Sequence, residues 1–501
     1  MRNHHSNKNP DFRVVGDLGR RDFLRYTAGT FAGVSMGALV AACGGGGDTG
    51  IAAASTFPVA VFSDIHFNPY YDTSLFNQLV LADPSQWAGV FNQSAITAPS
   101  AWGEDTNYPS LVLALAGVKQ NMGASPLVIF TGDILGHYFS QTFFNLYYAN
   151  LHVTAPKPAD IVKDTVAVAA MEAFADNTVT FFTDLVRSSV GSVPVMFALG
   201  NADSYLGAVP EPSFLAKNAQ TFYDKFLQNT ADQTEFLTTF KSGGYYSAEP
   251  AGSNVMVIAL NTLMFVPFLE GFEQTAVAAE LTWLDARFAA AKAAGKKVWL
   301  LMHVPPGADI YTTATTDFKS SQTSTATMMW EPAYQATFLQ TVLKYPGLIA
   351  MTLAAHTHMD EFRIYSPGNV LEITPSITPY FGNNPGFRVF SIDKDSLKPV
   401  DYISFNYDLA SNPPQFNMYY TFSEAYALRG PLDVSLVQLS SQLITNKEKQ
   451  AIYRAHYFSG HNYSIPATGT FKQITDSDWP VYYCGSGNVT QQDLLNCINS
   501  Y

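Results

Sequence analysis

Five short apolar runs, each closed by Asp, Asn or His, limit what this chain can fold into. Phe57–Phe62 leads into Ser63, Asp64, Ile65 and His66. Pro126–Phe130 leads into Thr131, Gly132 and Asp133, and Pro194–Leu199 into Gly200, Asn201, Ala202 and Asp203. Lys297–Met302 ends at His303, and Leu348–Ala355 ends at His356, Thr357 and His358. Runs of this length bounded by turn residues read as buried strands. Between them lie stretches with helical spacing: Ser110–Lys119, residues 159–188, and Leu281–Ala294, which Gly295 stops. Strands alternating with helices predict an α/β fold whose sheet is covered on both faces. Sites in such folds collect at the C-terminal ends of strands. Asp64 and His66 are two apart, and on an extended segment both side chains point to one side.

The region 370–405 reads as closing β-structure. From about 420 the pattern turns helical, with Ser440–Tyr453 the clearest helix. The expected organisation is a domain over 57–410 and a smaller helical part over 411–501.

The chain has 501 residues, 47% of them hydrophobic and 14% aromatic, which is globular composition with material for a large core. The N-terminus reads as a targeting segment. Arg20 and Arg21 lead Asp22-Phe23-Leu24, a small-residue apolar stretch runs from Tyr26 to Ala42, and Leu39–Gly44 has the form of a lipobox around Cys43. Residues 1–43 are thus expected to be a twin-arginine lipoprotein signal, and 44–56 a glycine-rich tether. The destination is the periplasm or the cell surface, with the lipid on Cys43 as the sole membrane attachment. Of the 28 Lys and Arg and 41 Asp and Glu, six and three precede Cys43, which leaves 22 against 38. That balance argues against a nucleic-acid duplex as partner. An anionic substrate must then be attracted locally, by metal ions for example. Cys484 and Cys497, thirteen apart in an oxidising compartment, are expected to pair.

The residues at the strand tips are Asp64, His66, Asp133, Asn201, His303, His356 and His358. Imidazoles and carboxylates suit borderline divalent ions such as zinc, iron or manganese. Seven donors exceed one tetrahedral ion and suit two, with one carboxylate shared, and Asp133 is the central choice. Two such ions can supply a nucleophile and clamp a phosphate.

Asp-x-His, Gly-Asp, Gly-Asn-x-Asp, His and His-x-His in this order resemble the calcineurin-like metallophosphoesterase superfamily. Trp102-Gly103-Glu104, Gly132-Asp133-Ile134 with His137, His356–Phe362, Pro375-Ser376 and Asn384–Val389 are similar to the acid sphingomyelinase-like phosphodiesterases. The resemblance implies a four-layer α/β/β/α sandwich. It implies one ion on Asp64, His66, Asp133 and His358, and a second on Asp133, Asn201, His303 and His356, with zinc as the ion. The implied reaction is attack of a hydroxide shared by the ions on a phosphodiester in a small molecule or a lipid headgroup.

Two positions depart from that pattern. Ala355 stands where Gly is usual, a small change. Ala202 stands where the family has a histidine that protonates the leaving oxygen. General-acid help is worth ~10²–10⁴ in rate. Three outcomes follow: His137 takes the role, Asp203 or a water does, or the site binds phosphate and turns over slowly. The alternatives to a phosphodiesterase are therefore a phosphomonoesterase or nucleotide hydrolase, and a metal- and phosphate-binding surface lipoprotein. Tyr70, Tyr71, Trp102 and Phe381 read as packing residues.

Overall fold

The computed structural model describes residues 55–501 apart from 162, 208–210, 228, 268–273, 318–324 and 462–472. The expected signal and all but the last two residues of the tether lie outside the described residues. Ser55–Tyr501 forms one compact unit. Among the described residues no helix is long and apolar enough to cross a membrane.

Among the described residues twelve strands make two six-stranded sheets. The first contains β1 (Thr56–Phe62), β2 (Val128–Phe130), β3 (Val195–Phe197), β10 (Gly386–Asp393), β11 (Pro399–Asn406) and β12 (Asn417–Thr421), in the order β12-β11-β10-β1-β2-β3. The second contains β4 (Tyr246–Ala248), β5 (Val255–Ala259), β6 (Lys297–Leu301), β7 (Ile349–Ala354), β8 (Glu361–Ser366) and β9 (Asn369–Ile373), in the order β4-β5-β6-β7-β9-β8. The strands that carry the tip residues run parallel: β1 beside β2, β2 beside β3, and β6 beside β7. β5 and β9 extend the second run in parallel, and antiparallel pairing enters at β10 beside β1, β4 beside β5 and β8 beside β9.

Alternation along the strands builds the layers. Val255, Val257, Trp299, Leu301, Met351 and Leu353 share one core with Val59, Val61, Ile129 and Met196 of the first sheet. Their sequence neighbours Met256, Ile258, Val298 and Leu300 face the other way, into a second core with Leu281, Leu284, Phe288, Phe338 and Val342. Those five lie on the helices Gln274–Ala293 and Pro332–Leu343. The outer side of the first sheet is covered by the helix Tyr108–Asn121, which buries Leu111, Ala114, Leu115 and Val118 at i, i+3, i+4 and i+7, and by the helix Thr165–Val190. The order helix, sheet, sheet, helix is the expected α/β sandwich.

Two expected helices differ in detail. The stretch 159–188 is divided, because the Asp164 carboxylate accepts the Ala167 N–H and caps a new helix from Thr165. The stretch Ser440–Tyr453 is also broken. Leu432–Gln442 ends there, and Asn446 accepts the Lys449 N–H to start Lys447–Tyr457. The C-terminal part carries a strand as well as helices, since β12 pairs with β11 at the edge of the first sheet. The last two helices, Trp479–Gly487 and Gln491–Ser500, are joined by the Cys484–Cys497 disulfide.

A buried ion cluster ties the sheets together. Arg388 of β10 pairs with Glu372 of β9 at 3.2 Å and with Asp360, and its guanidinium lies 4.3 Å over the Tyr402 ring. Burial pushes the Glu372 carboxyl up to about 7, against the pull of Arg388. An unfolded Glu releases its proton near about 4.3. Between those values the native state holds a proton that the unfolded chain has lost, so stability falls as pH rises through this window. Glu372→Gln is expected to flatten that slope in urea melts between about pH 5 and 7; an unchanged slope would refute the assignment.

Candidate metal centre

All seven tip residues meet where the two sheets adjoin. The loop after β1 lies against the loop after β2: Asp64 N–H bonds Gly132 O at 2.9 Å, His66 N–H bonds Asp133 O at 3.0 Å, and Phe67 N–H bonds Ile134 O at 2.7 Å. The parallel ladder thus continues past the strand ends, but not in extended form. Asp64, His66 and Asp133 have φ of 47°, 43° and 64°, and His356 and His358 have 76° and 66°. The expectation that Asp64 and His66 share a side of an extended segment is corrected here. Left-handed turns at the donors themselves aim the side chains. Such strain persists only where the surroundings over-determine it, and it gathers at functional sites.

Two glycines make the approach feasible. A Cβ on Gly132, where φ is 103°, would lie 2.5 Å from Gly200 N and 2.9 Å from His303 Nδ1. A Cβ on Gly200 would lie 2.0 Å from Asp133 Oδ1.

Asp133 sits at the centre. Its Oδ1 accepts the Ala202 N–H at 2.7 Å. Its Oδ2 faces His66 Nε2 and His303 Nε2, each at 3.1 Å. His66 Nδ1 lies 3.1 Å from Leu135 O, and His303 Nδ1 2.7 Å from Thr131 O. Carbonyls only accept, so both Nδ1 atoms carry the hydrogen and both Nε2 atoms of the neutral rings present lone pairs. His303 Nε2 also faces Asn201 Oδ1 at 3.1 Å, and His356 Nδ1 meets the same oxygen at 2.7 Å. His358 Nε2 lies 3.6 Å from Asp64 Oδ1. Acceptor oxygens and imidazole nitrogens crowded into one buried site are a donor set that a cation can join in place of protons.

The electrostatics agree. Burial opposes charge on His66 and His303, but the Asp133 carboxylate overrides it and pushes both up to about 9. Burial lifts Asp64 to about 6, with His303 opposing. Burial, then the charge of His303, drives His356 down to about 3. The carboxylates therefore demand positive charge, and divalent ions would supply it in place of protons.

Donor atoms fall into two groups that could each hold an ion. One is Asp64, His66, Asp133 and His358, and the other is Asp133, His303 and His356. Asn201 completes the second through its Oδ1. Asp133 belongs to both groups, as the shared donor must. Asp64, His66, Asp133, His303 and His358 are at most 2% exposed, while Asn201, Ala202 and His356 are half-buried and mark the open side.

His66, His137 and His358 also bring ring nitrogens close together. Yet His137 stacks flat on His66, with centroids 3.9 Å apart and planes 15° from parallel. Stacked rings point their lone pairs side by side, not at a common ion, so His137 stands outside the donor set. Its other face stacks on Tyr380 at 4.0 Å. Its Nδ1 lies 2.7 Å from Asp105 Oδ1, and its backbone N–H bonds Asp105 Oδ2 at 2.7 Å. This grip orients the ring and leaves Nε2 as the nitrogen available for proton transfer.

Asp105 is a functional candidate that the sequence reading missed. It sits in the polar loop after Trp102, and nothing in its spacing links it to His137, 32 residues on. Asp203, expected as an alternative proton donor, is 3% exposed. Its Oδ2 accepts from Asp133 N at 3.0 Å and Gly200 N at 2.8 Å, and its Oδ1 from Ile134 N at 2.7 Å. Burial, then Asp133, lifts it to about 6, and the backbone bonds from Gly200 and Ile134 oppose that. The side chain thus holds the Asp133 and Gly200 loops together, with both carboxylate oxygens engaged by backbone N–H groups. Trp102 stacks on His461 at 4.1 Å and bonds Asn384 Oδ1 at 3.2 Å, and Phe381 packs edge-on to His358 at 4.6 Å.

Comparison with known proteins gives this arrangement its lineage. Sphingomyelinase phosphodiesterase C of Dictyostelium discoideum is 27% identical over 258 residues, which cover 47% of this chain and 53% of that protein. Human cyclic GMP-AMP phosphodiesterase SMPDL3A is 25% identical over 388 residues, 74% of this chain and 76% of that protein. Human sphingomyelin phosphodiesterase is 26% identical over 308 residues, 57% of this chain and 46% of that protein. The chain thus spans about half the length of the first and third of these relatives. A family model, the calcineurin-like phosphoesterase, matches residues 57–360, from β1 to just past the last tip histidine. The chain belongs to the calcineurin-like phosphoesterase family.

Proposed function

We propose that the chain hydrolyses phosphate esters, phosphodiesters first, with two divalent cations, zinc foremost and manganese or iron as alternatives. Asp64, His66, Asp133 and His358 would hold one ion, and Asp133, Asn201, His303 and His356 the other. The observation that carries this reading is Asp133 Oδ2, set 3.1 Å from Nε2 of both His66 and His303. When bound, such ions lower the pKa of water to supply a nucleophile and offset charge on phosphoryl oxygens.

The chain's own residues do the rest. Asp133, His66 and His303 fix where charge is neutralised. Asp203 holds the Asp133 and Asn201 loops in register. His137, steadied by Asp105 and by the His66 and Tyr380 rings, protonates the leaving oxygen through Nε2. Similarity supports the diester bond: the relatives are named for sphingomyelin and for cyclic GMP-AMP, and both are phosphodiesters. The twin-arginine and lipobox residues support an exported, lipid-anchored enzyme.

A second reading, a phosphate-binding protein with slow turnover, draws on Ala202. It offers the site its backbone N–H, already given to Asp133, and a methyl group. One experiment separates the readings. Zinc or manganese is added to metal-stripped protein, with bis(4-nitrophenyl) phosphate and 4-nitrophenyl phosphate as substrates. Turnover of the diester above the monoester is the expected result; two bound ions without turnover would establish the second reading. Ala202→His is expected to speed alkyl esters, which need a proton donor, by at least roughly tenfold, the lower part of the general-acid range. Nitrophenyl esters should change little.

A further inference from the structure

His358 is held differently from its partners. His66 and His303 each give Nδ1–H to a backbone carbonyl, which fixes tautomer and ring angle. His358 Nδ1 is buried and has no hydrogen-bond partner among the described residues. Its ring is set by packing against Phe381 and His66. Its backbone has a φ of 66°, a conformation that needs outside support.

That support converges two residues on, at Asp360. Asp360 N–H bonds Tyr457 O at 2.9 Å. Its Oδ1 pairs with Arg388, and its Oδ2 accepts from Tyr420 OH at 2.8 Å. Tyr420 is itself clamped: it stacks on His456 at 3.7 Å, and its hydroxyl meets Tyr402 OH at 3.0 Å. Arg388 is fully buried on the central strand β10, whose partner β1 delivers Asp64 and His66. Tyr420 belongs to β12, and Tyr457 to the helix Lys447–Tyr457. Both lie beyond the residues matched by the family model.

We propose that Asp360 is a positioning residue for the His358 ion, and that β12 and the helix Lys447–Tyr457 act through it. The chain's C-terminal part then works as the outer support of one ion and not of the other. His356 belongs to the second group, beside its co-donor Asn201, whose Oδ1 lies 2.7 Å from His356 Nδ1. This inference rests on the two-ion reading of the site.

Zinc binding to chelator-stripped, otherwise intact protein tests it, with a competing fluorescent chelator and elemental analysis. His358→Ala and Asn201→Ala identify the two ions by which one each variant loses. Asp360→Asn is expected to weaken the His358 ion by about tenfold or more, the scale of outer hydrogen-bond partners, and to leave the Asn201 ion within about twofold. Tyr420→Phe keeps the ring stack and loses the two hydrogen bonds of the hydroxyl, to Asp360 and Tyr402, and it should shift the same ion by less. A purely structural role would lower the melting temperature and weaken both ions alike or neither, and would overturn the proposal. If Asp360→Asn does not fold, Tyr420→Phe decides: a selective loss supports the proposal, and an unselective or absent one refutes it. Wild-type protein that binds fewer than two ions would refute the two-ion reading first, and this inference with it.

Discussion

Asp133→Asn is expected to leave a folded protein with almost no phosphodiesterase activity and without a full pair of ions. The substitution preserves shape, so Ala202 N–H still finds an acceptor on the side chain. It removes the one negative charge that both ion groups share. An ion that is lost takes with it several kcal/mol of transition-state stabilisation. At about 1.4 kcal/mol per tenfold, a loss of about 4 kcal/mol is roughly a thousandfold in rate. His66 and His303 should fall from their raised values near 9, because Asp133 is the charge that lifts them. Elemental analysis and initial rates on bis(4-nitrophenyl) phosphate check the first two effects, and imidazole NMR titration of the metal-free protein checks the third. A variant that keeps two ions and near wild-type rate would remove Asp133 from the centre of the site.

His137→Ala is expected to cost ~10²–10⁴ in kcat on substrates with poor leaving groups, the range of general-acid catalysis. The loss should shrink for nitrophenyl leaving groups, which depart without a proton. Because His137 is packed between His66 and Tyr380, its removal also opens a gap beside a metal donor. His137→Phe is the control: it refills the stack and carries no proton. If Phe restores activity, the role is packing; if Phe is as slow as Ala, the role is proton transfer. Asp105→Asn should lower kcat with a milder effect, because the ring loses the anionic partner that orients it. Metal content should stay at the wild-type level in all three variants, which separates this prediction from the first.

The proposed donors were legible as a set because each closes an apolar run, and a parallel strand announces itself by composition. The two-sheet sandwich came from resemblance, since alternation within Met256–Ile258 or Val298–Leu301 shows no partner layer until the partner is placed. The left-handed turns at Asp64, His66, Asp133, His356 and His358 were not legible. Asp and His tolerate that conformation without requiring it, and the cause is packing between distant loops. Asp105 was missed for the same reason: the contact with His137 depends on loop pairing around Phe67 and Thr106. The break before Lys447 was hidden by an apolar spacing that runs through Leu443 and Ile444, while the decisive signal was one capping asparagine.

Each proposed ion group draws on both sheets. The first sheet brings Asp64, His66, Asp133 and Asn201, and the second brings His303, His356 and His358. Metal affinity therefore reports the alignment of one sheet on the other, as a vernier reports the offset of two scales. The layer that sets this alignment extends well away from the ions, to contacts such as Phe57 of β1 stacked on Trp299 of β6 at 6.4 Å. A substitution there touches no donor and no substrate, yet it moves one half of each coordination shell relative to the other. In this molecule, distance from the chemistry is no guarantee of silence.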